Sequence, residues 1–238
     1  MQKLLSILLL QLPLFVCYGQ KTEISVQIHS GFSTYGGKSA TATPSVFIND
    51  TGPPFYLIDS PYGKKSEFPY GFALQAQRLS SKNLLLGIRM GYDRFSTISH
   101  FDSYGAMGGR SSVEDGEVNL QTDLLWANPY FGYRLPVKNV RLDITAGFNV
   151  GSILKSTYIV SYENQSDFFE KQVDNYRINT KMDFGPTAGV SAEYKMVGIQ
   201  ASYCYGLVNY MRGLEYLPNA QAWVYSRYLR LGMSYRVK

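Results

Sequence analysis

Apolar and polar residues alternate along most of this chain, and the clearest alternation runs from Val140 to Val150. In this segment every even-numbered residue is apolar, whereas the odd-numbered residues are charged, polar or glycine. A period of two residues is typical of a β-strand whose two faces meet different environments. The segment therefore predicts a strand that separates an apolar environment from a wet one.

The same alternation recurs along the chain, and almost no stretch shows the spacing of an amphipathic helix. We therefore predict an all-β fold with about eight strands. The predicted strands are Ile24–His29, Tyr70–Gln77, Leu84–Asp93, Glu117–Tyr133, Val140–Val150, Lys181–Tyr194, Val197–Gly206 and Tyr228–Val237. In the fourth strand we assign Val118, Leu120, Leu124 and Trp126 to the apolar outer face, with a bulge at Pro129.

The connections distinguish a soluble sandwich from a membrane barrel. Very short polar turns follow the second, fourth and sixth strands, at Ser80–Asn83, Pro136–Asn139 and Lys195–Met196. The other four connections are long and cover residues 35–69, 95–116, 156–176 and 208–222. Strict alternation of short and long connections is typical of outer-membrane barrels. We predict a closed antiparallel up-and-down transmembrane β-barrel with short periplasmic turns and long extracellular loops, and keep the soluble sandwich as the alternative.

Residues 1–19 predict a cleaved signal peptide, which leaves residues 20–238 as the outer-membrane β-barrel domain. Lys3 precedes an apolar run from Leu4 to Val16 of about 13 residues, and small or polar residues follow. A helix that spans a bilayer needs roughly 20 residues. We therefore expect export to the outer membrane of a Gram-negative cell. Lipidation at Cys17 is the alternative.

Composition narrows the function classes. The chain has 20 tyrosines, 13 phenylalanines and 22 glycines, and only 17% of its residues are charged. No apolar run after Gln20 is long enough for a transmembrane helix. A net charge of +5 that is spread along the sequence does not favour nucleic-acid binding. Cys204 is the one cysteine after the predicted cleavage site, so no disulfide is expected within the exported part.

Several short segments resemble the PorT-like outer-membrane β-barrel family. Each segment is short, and the resemblance lies in their order and spacing. They are Asp143–Gly147, Asp183–Gly189, Tyr205–Asn209 and Leu231–Arg236. The resemblance extends over essentially the whole exported part and implies an outer-membrane barrel. It also implies that the protein could be an accessory component of a secretion or motility machine.

The polar faces of the strands carry charges of both signs, which predicts a polar network in the interior of the barrel. An eight-stranded barrel is just wide enough for its side chains to fill, and an unpaired charge there is unfavourable. The alternative is a small passive channel, in which these groups line a path for solutes or protons. The predicted network comprises Arg89, Asp93, Asp123, Arg141, Asp143, Lys181, Asp183, Glu193 and Arg230.

We expect no catalysis, cofactor or metal. After the signal peptide the chain has two histidines, His29 and His100, and neither lies in a catalytic motif. His100 is assigned to a solvated loop. No Cys or His pair has the spacing of metal ligands. A barrel hydrolase is the third functional hypothesis, after a structural or surface-interaction protein and a channel.

The third long connection suggests a site for a protein partner. It combines the aromatic residues Tyr162, Phe168 and Phe169 with several carboxylates. The partners we expect are outer-membrane lipid, the barrel-assembly machinery during insertion, and a protein partner at the extracellular loops. No nucleic-acid partner is expected.

Overall fold

A computed structural model describes residues 21–49, 55–58, 60–106, 109–162, 169–172, 180–211 and 222–238. The secondary structure of this part of the chain is entirely β. The strands are β1 (Lys21–Gly36), β2 (Val46–Asn49), β3 (Phe55–Ile58), β4 (Lys65–Ser66), β5 (Tyr70–Leu79), β6 (Leu84–Ala106), β7 (Gly109–Val137), β8 (Val140–Ser161), β9 (Phe169–Gln172), β10 (Met182–Tyr194), β11 (Val197–Tyr205) and β12 (Tyr225–Arg236). Among the described residues, no helix has the length and apolar character needed to cross a membrane.

Eight of these strands close into an antiparallel ring. Its order is β1, β5, β6, β7, β8, β10, β11 and β12, and β12 pairs again with β1, where Tyr235 lies opposite Val26. The all-β fold and the ring of eight strands are confirmed. The three tight turns are also found where they were predicted. Asn83, Lys138 and Lys195 have positive φ angles, as tight hairpin turns often require.

The predicted boundaries of two long connections were wrong. Residues 95–116 largely extend β6 and β7, and β8 continues to Ser161. These extensions preserve the two-residue alternation, but with polar residues such as His100 on the outer face, so they lack the apolar signature of the segments below them. Three of the remaining short strands pair with this extension, β2 and β4 with β6 and β9 with β8, and β3 pairs with β2.

The outer face of the ring carries a continuous apolar belt. On β6 it runs from Leu84 to Tyr92, about nine residues, before Arg94 begins a more polar surface. Tyr133, Tyr194 and Tyr235 border its turn end. The side chains of the apolar belt, each at least 40% exposed, include Ile24, Val26, Ile28, Phe32, Phe72, Leu74, Leu86, Ile88, Met90, Leu125, Phe131, Ile144, Phe148, Val190, Ile199, Leu231 and Met233.

Beyond the belt the polarity of the two faces is reversed. Val118 and Leu120 point into the ring there and are almost fully buried. Leu124 and Trp126 are also buried inside the ring, but at the upper edge of the belt, on either side of the outward Leu125. Their predicted outward orientation was therefore wrong. Above the belt the interior of the extended strands encloses an apolar core, so apolar residues face inward there. The register shift also lies between Asp123 and Leu124 rather than at Pro129.

This upper apolar core, which we call the cap core, joins strand residues to the segments that follow β1 and β11. The rings of Tyr35, Tyr62 and Tyr210 pack edge to face, with centroids 5.0–5.9 Å apart. Burial raises the pKa of the Tyr62 and Tyr210 hydroxyls well above the ordinary tyrosine value. Phe101, Val118, Leu120 and Val224 also belong to this core. The cap core closes the end of the ring opposite the tight turns.

Candidate functional site

The interior of the ring at the level of the belt is filled by polar side chains, which form layers between the tight turns and the cap core. The lowest layer is centred on Arg134, whose side chain is 4% exposed. Arg134 lies on β7, between Glu23 on β1 and Asp143 on β8. Its Nε and Nη2 donate to Asp143 at 2.7 and 2.8 Å, and its Nη1 and Nη2 donate to Glu23 at 3.0 and 2.9 Å.

Two further arginines complete this turn-end cluster. Arg236 donates from Nη1 to Glu23 at 2.9 Å and lies 3.3 Å from a carboxylate oxygen of Glu193. Arg141 donates to the same oxygen of Glu193 at 3.0 Å. The cluster therefore sets Arg134, Arg141 and Arg236 against Glu23, Asp143 and Glu193, so its formal charges cancel. Such compensation is what a confined interior requires.

Amide side chains form the next layer. Gln27 donates to Gln75, Gln75 to Gln77 at 2.7 Å, and Gln200 to Gln27 at 2.8 Å. Arg89 donates from Nε to Gln75 at 2.9 Å, and its guanidinium lies 4.4 Å from the centroid of the Tyr130 ring. This layer links four strands of the ring and occupies its cross-section.

Asp93 organises a central cluster above the amides. One carboxylate oxygen lies 2.5 Å from Nε2 of His29, and the other accepts from Nε of Arg230 at 2.8 Å. The Arg230 guanidinium lies 4.4 Å from the Trp126 ring centroid. All four side chains are buried. Both oxygens of Asp93 are engaged, one by His29 and the other by Arg230. The cluster is therefore an ion pair of Asp93 and Arg230 with a histidine beside it, and it does not have the arrangement of a nucleophile activated by a base.

Asp183 forms a further polar contact, next to the cap core. It accepts hydrogen bonds from Ser226, at 2.6 Å, and from the Tyr228 hydroxyl. The Tyr228 ring stacks on Phe95 with centroids 4.1 Å apart, and its hydroxyl lies 3.4 Å from that of Tyr210 in the cap core. The polar side chains of the interior are therefore in direct contact with the aromatic side chains of the cap core.

Little space is left between these layers. A cavity of about 10 Å³ lies between the amide layer and the central cluster, beside Arg89, Trp126 and Asn128. That volume is close to the minimum that holds one water molecule.

The structure places seven of the nine predicted network residues in the interior, and two elsewhere. Asp123 faces outward just above the belt, where Arg94 donates to it at 2.7 and 3.0 Å and the Tyr92 hydroxyl donates at 2.7 Å. Asp123 was predicted to face inward because the two faces of this part of β7 were assigned the wrong way round. Lys181 is exposed immediately before β10.

The sequence prediction omitted Glu23 and Arg134 from the network, although both are central to it. The signal was present, because Glu23 alternates with the outward Ile24 and Arg134 with the outward Tyr133. The choice of partners could not be read from the sequence. Glu23 and Arg134 are 111 residues apart and meet across the ring, so alternation gives their face but not their contact.

The other candidate residues do not assemble a reactive site. His100 lies on β6 rather than in a loop, with Nδ1 3.5 Å from a carboxylate oxygen of Glu117, and both side chains are about two-fifths exposed. In the described part of the chain, no group of three or more His, Cys, Asp and Glu side chains could hold a metal ion. The Tyr162 ring packs 5.8 Å from that of Tyr104. Phe168 lies outside the described residues, and for Phe169 only its backbone position in β9 is described.

Comparisons with known proteins give structural likenesses only. No family model and no curated protein matches the chain. Among solved structures, it is similar to Ail, the attachment invasion locus protein of Yersinia pestis, crystallised with the heparin analogue sucrose octasulfate (15% identity, 91% of this chain and 99% of that chain, TM-score 0.39). It is also similar to Neisserial surface protein A (11%, 90% and 98%, 0.38) and to the N-terminal β-barrel domain of Pseudomonas aeruginosa OprF (12%, 91% and 99%, 0.29). These three are outer-membrane β-barrel proteins.

Proposed function

We propose that this chain is an integral outer-membrane β-barrel with a filled, non-conducting interior and no catalytic activity, which holds a rigid extension at the cell surface. The apolar belt is the observation that carries the proposal. A monomeric soluble protein rarely exposes a contiguous apolar patch beyond a few hundred Å². Here the exposed apolar side chains encircle the ring, whereas charged side chains are buried inside it.

The dimensions of the belt suit a bilayer. A tilted transmembrane strand needs about 9–11 residues to cross the hydrocarbon core. The belt on β6 and the segment from Val197 to Tyr205 on β11 each have about nine. The tyrosines at its turn end match the aromatic girdles that border the apolar band of membrane barrels.

The layers of interior side chains favour a structural barrel over a passive channel. A conducting path would need water-filled space through the amide layer and past Asp93. The cavity there holds about one water molecule. The ion pairs on either side would have to separate to widen it, which leaves buried charges uncompensated.

The extension of β6, β7 and β8 supports the proposed role at the cell surface. It continues the sheet beyond the belt, and the cap core packs against its inner face. Its outer face bears polar side chains, among them His100, Asp102 and Glu117. A sheet supported in this way suits a surface-interaction role. A task in a secretion or motility machine, as the PorT-like resemblance implies, remains part of this proposal.

Conductance tests the filled interior. We expect the wild-type protein, reconstituted in planar bilayers, to give no steady conductance, because the amide layer and the central cluster block the ring. Insertion should be checked in the same preparation by comparing gel migration before and after boiling. A steady, reproducible conductance from correctly inserted protein would contradict the filled barrel and favour the channel.

A further inference from the structure

The turn end of the ring carries exposed charges of one sign. Each of the three tight turns contains a lysine, and two more cations lie at the adjoining ends of β1 and β5. All five side chains belong to exposed residues. We call this set the basic rim, and it consists of Lys21, Arg78, Lys82, Lys138 and Lys195.

Among the described residues, no exposed carboxylate side chain lies beside the basic rim. The acids closest to the turns are Glu23, Asp143 and Glu193, and their side chains are 1%, 7% and 14% exposed. Each is engaged by the arginines of the turn-end cluster, whose own charge is balanced. The positive charge of the rim therefore faces outward, and no carboxylate side chain in the described ranges is paired with it.

The rim lies directly against the apolar belt. Lys138 follows Val137, which is 49% exposed, and the ammonium group of Lys195 lies 5.4 Å from the ring centroid of Tyr194. Arg141 and Arg236 both donate to the backbone carbonyl of Lys195 at 2.5 Å, so the interior cluster fixes the turn that presents this lysine. Lysines at the edge of an apolar surface place their stems on it and their charges in the polar layer beyond.

We propose that the basic rim binds the phosphate groups of anionic phospholipids in the periplasmic leaflet. This inference rests on the proposed membrane-barrel function, which places the tight turns at that leaflet. Basic residues next to a bilayer attract anionic headgroups over about one Debye length. The rim binds through several separate lysine contacts rather than through one pocket.

The arrangement of the cations favours lipid over an acidic protein partner. The cations lie at the turn ends of β1 and β5 and in the β5–β6, β7–β8 and β10–β11 turns, so they are distributed around the ring. A protein docked on one side would meet only part of this set. Lipid headgroups surround a barrel on all sides, and each cation would meet its own phosphate.

The test measures lipid selectivity at the protein surface. Wild-type protein is reconstituted in phosphatidylcholine bilayers that contain a trace of spin-labelled phosphatidylglycerol or spin-labelled phosphatidylcholine. Electron paramagnetic resonance then gives the motionally restricted fraction of each lipid. We expect a several-fold preference for phosphatidylglycerol at low salt, and a smaller preference in 1 M salt because of screening.

Two triple variants with equal charge changes locate the effect. Lys82→Gln, Lys138→Gln and Lys195→Gln together should remove most of the preference. Lys38→Gln, Lys64→Gln and Lys65→Gln, exposed at the opposite end, should leave it intact. A restricted fraction without preference for phosphatidylglycerol, or a preference lost only in the second variant, would overturn this inference alone. Absence of any restricted lipid would instead contradict the membrane barrel itself.

Discussion

Replacing Arg134 by methionine is expected to lower the free energy of unfolding by about 3–5 kcal/mol. Arg134 satisfies two buried carboxylates through four hydrogen bonds. Without it, Glu23 keeps Arg236 at 2.9 Å. Both carboxylate oxygens of Asp143 accept from Arg134, so without Arg134 this carboxylate is left buried and unpaired. Urea unfolding of the folded barrel, followed by gel migration, measures the difference.

Two comparisons separate this burial effect from loss of a positive charge. Arg94→Met removes an arginine from a partly exposed pair with Asp123, where an ion pair contributes about 0–1 kcal/mol. Adding Asp143→Asn to Arg134→Met should recover part of the loss, since a buried amide is less unfavourable than an unpaired carboxylate. Equal effects of Arg134→Met and Arg94→Met, or no recovery in the double variant, would contradict the assigned pairing.

The second large effect is expected from Ile144→Arg on the outer face. Ile144 is 53% exposed and lies in the apolar belt, about four residues above the start of β8. An arginine on the lipid face near the bilayer midplane costs about 2–4 kcal/mol. We therefore expect Ile144→Arg to insert much less efficiently into detergent-free liposomes than the wild type, and to unfold at lower urea.

Ile159→Arg provides the matched control on the same strand. Ile159 also faces outward, but it lies beyond the belt among polar neighbours such as Asn119 on β7. Its replacement should change stability by about 1 kcal/mol or less, as is usual for surface positions. If the two variants insert equally well, the belt does not contact lipid and the assigned level of the bilayer is wrong.

The sequence predicted much of the ring because the belt imposes a strong pattern on it. On β1, β5, β10, β11 and β12, apolar residues face lipid and polar residues face inward in our account, so alternation identifies the strands and their faces together. Gly31 illustrates a feature that alternation does not reveal. Its φ of 149° and the close approach of the Leu229 carbonyl leave no room for a side chain, which depends on the pairing of β1 with β12.

The upper part of β7 could not be assigned by the same rule. A two-residue period shows that Val118 and Leu120 share a face, but it does not show whether that face meets lipid or a protein core. Most apolar residues at the level of the belt face outward, whereas those in the cap core face inward. Asp123 was misplaced for this reason. The cap core that decides the matter is built from segments such as those around Tyr62 and Tyr210, which carry no strand signal.

The interior contacts were equally beyond the reach of the sequence. The charges on each face predict pairing in general, because uncompensated charge in a narrow barrel is unfavourable. Which groups pair depends on the ring register. Asp93 meets Arg230 across 137 positions of sequence, and His29 reaches the same carboxylate from β1. Only closure of the ring brings these strands together.

Fractionation of the wild-type protein tests the central claim, that the belt lies in a bilayer around a closed barrel. Membranes from cells that express the whole chain are washed with alkaline carbonate, and the retained protein is run on gels before and after boiling. We predict that the protein stays in the membrane fraction and migrates differently once boiled, because the closed ring resists detergent until it is heated. Recovery of the protein as a soluble periplasmic monomer would contradict the account.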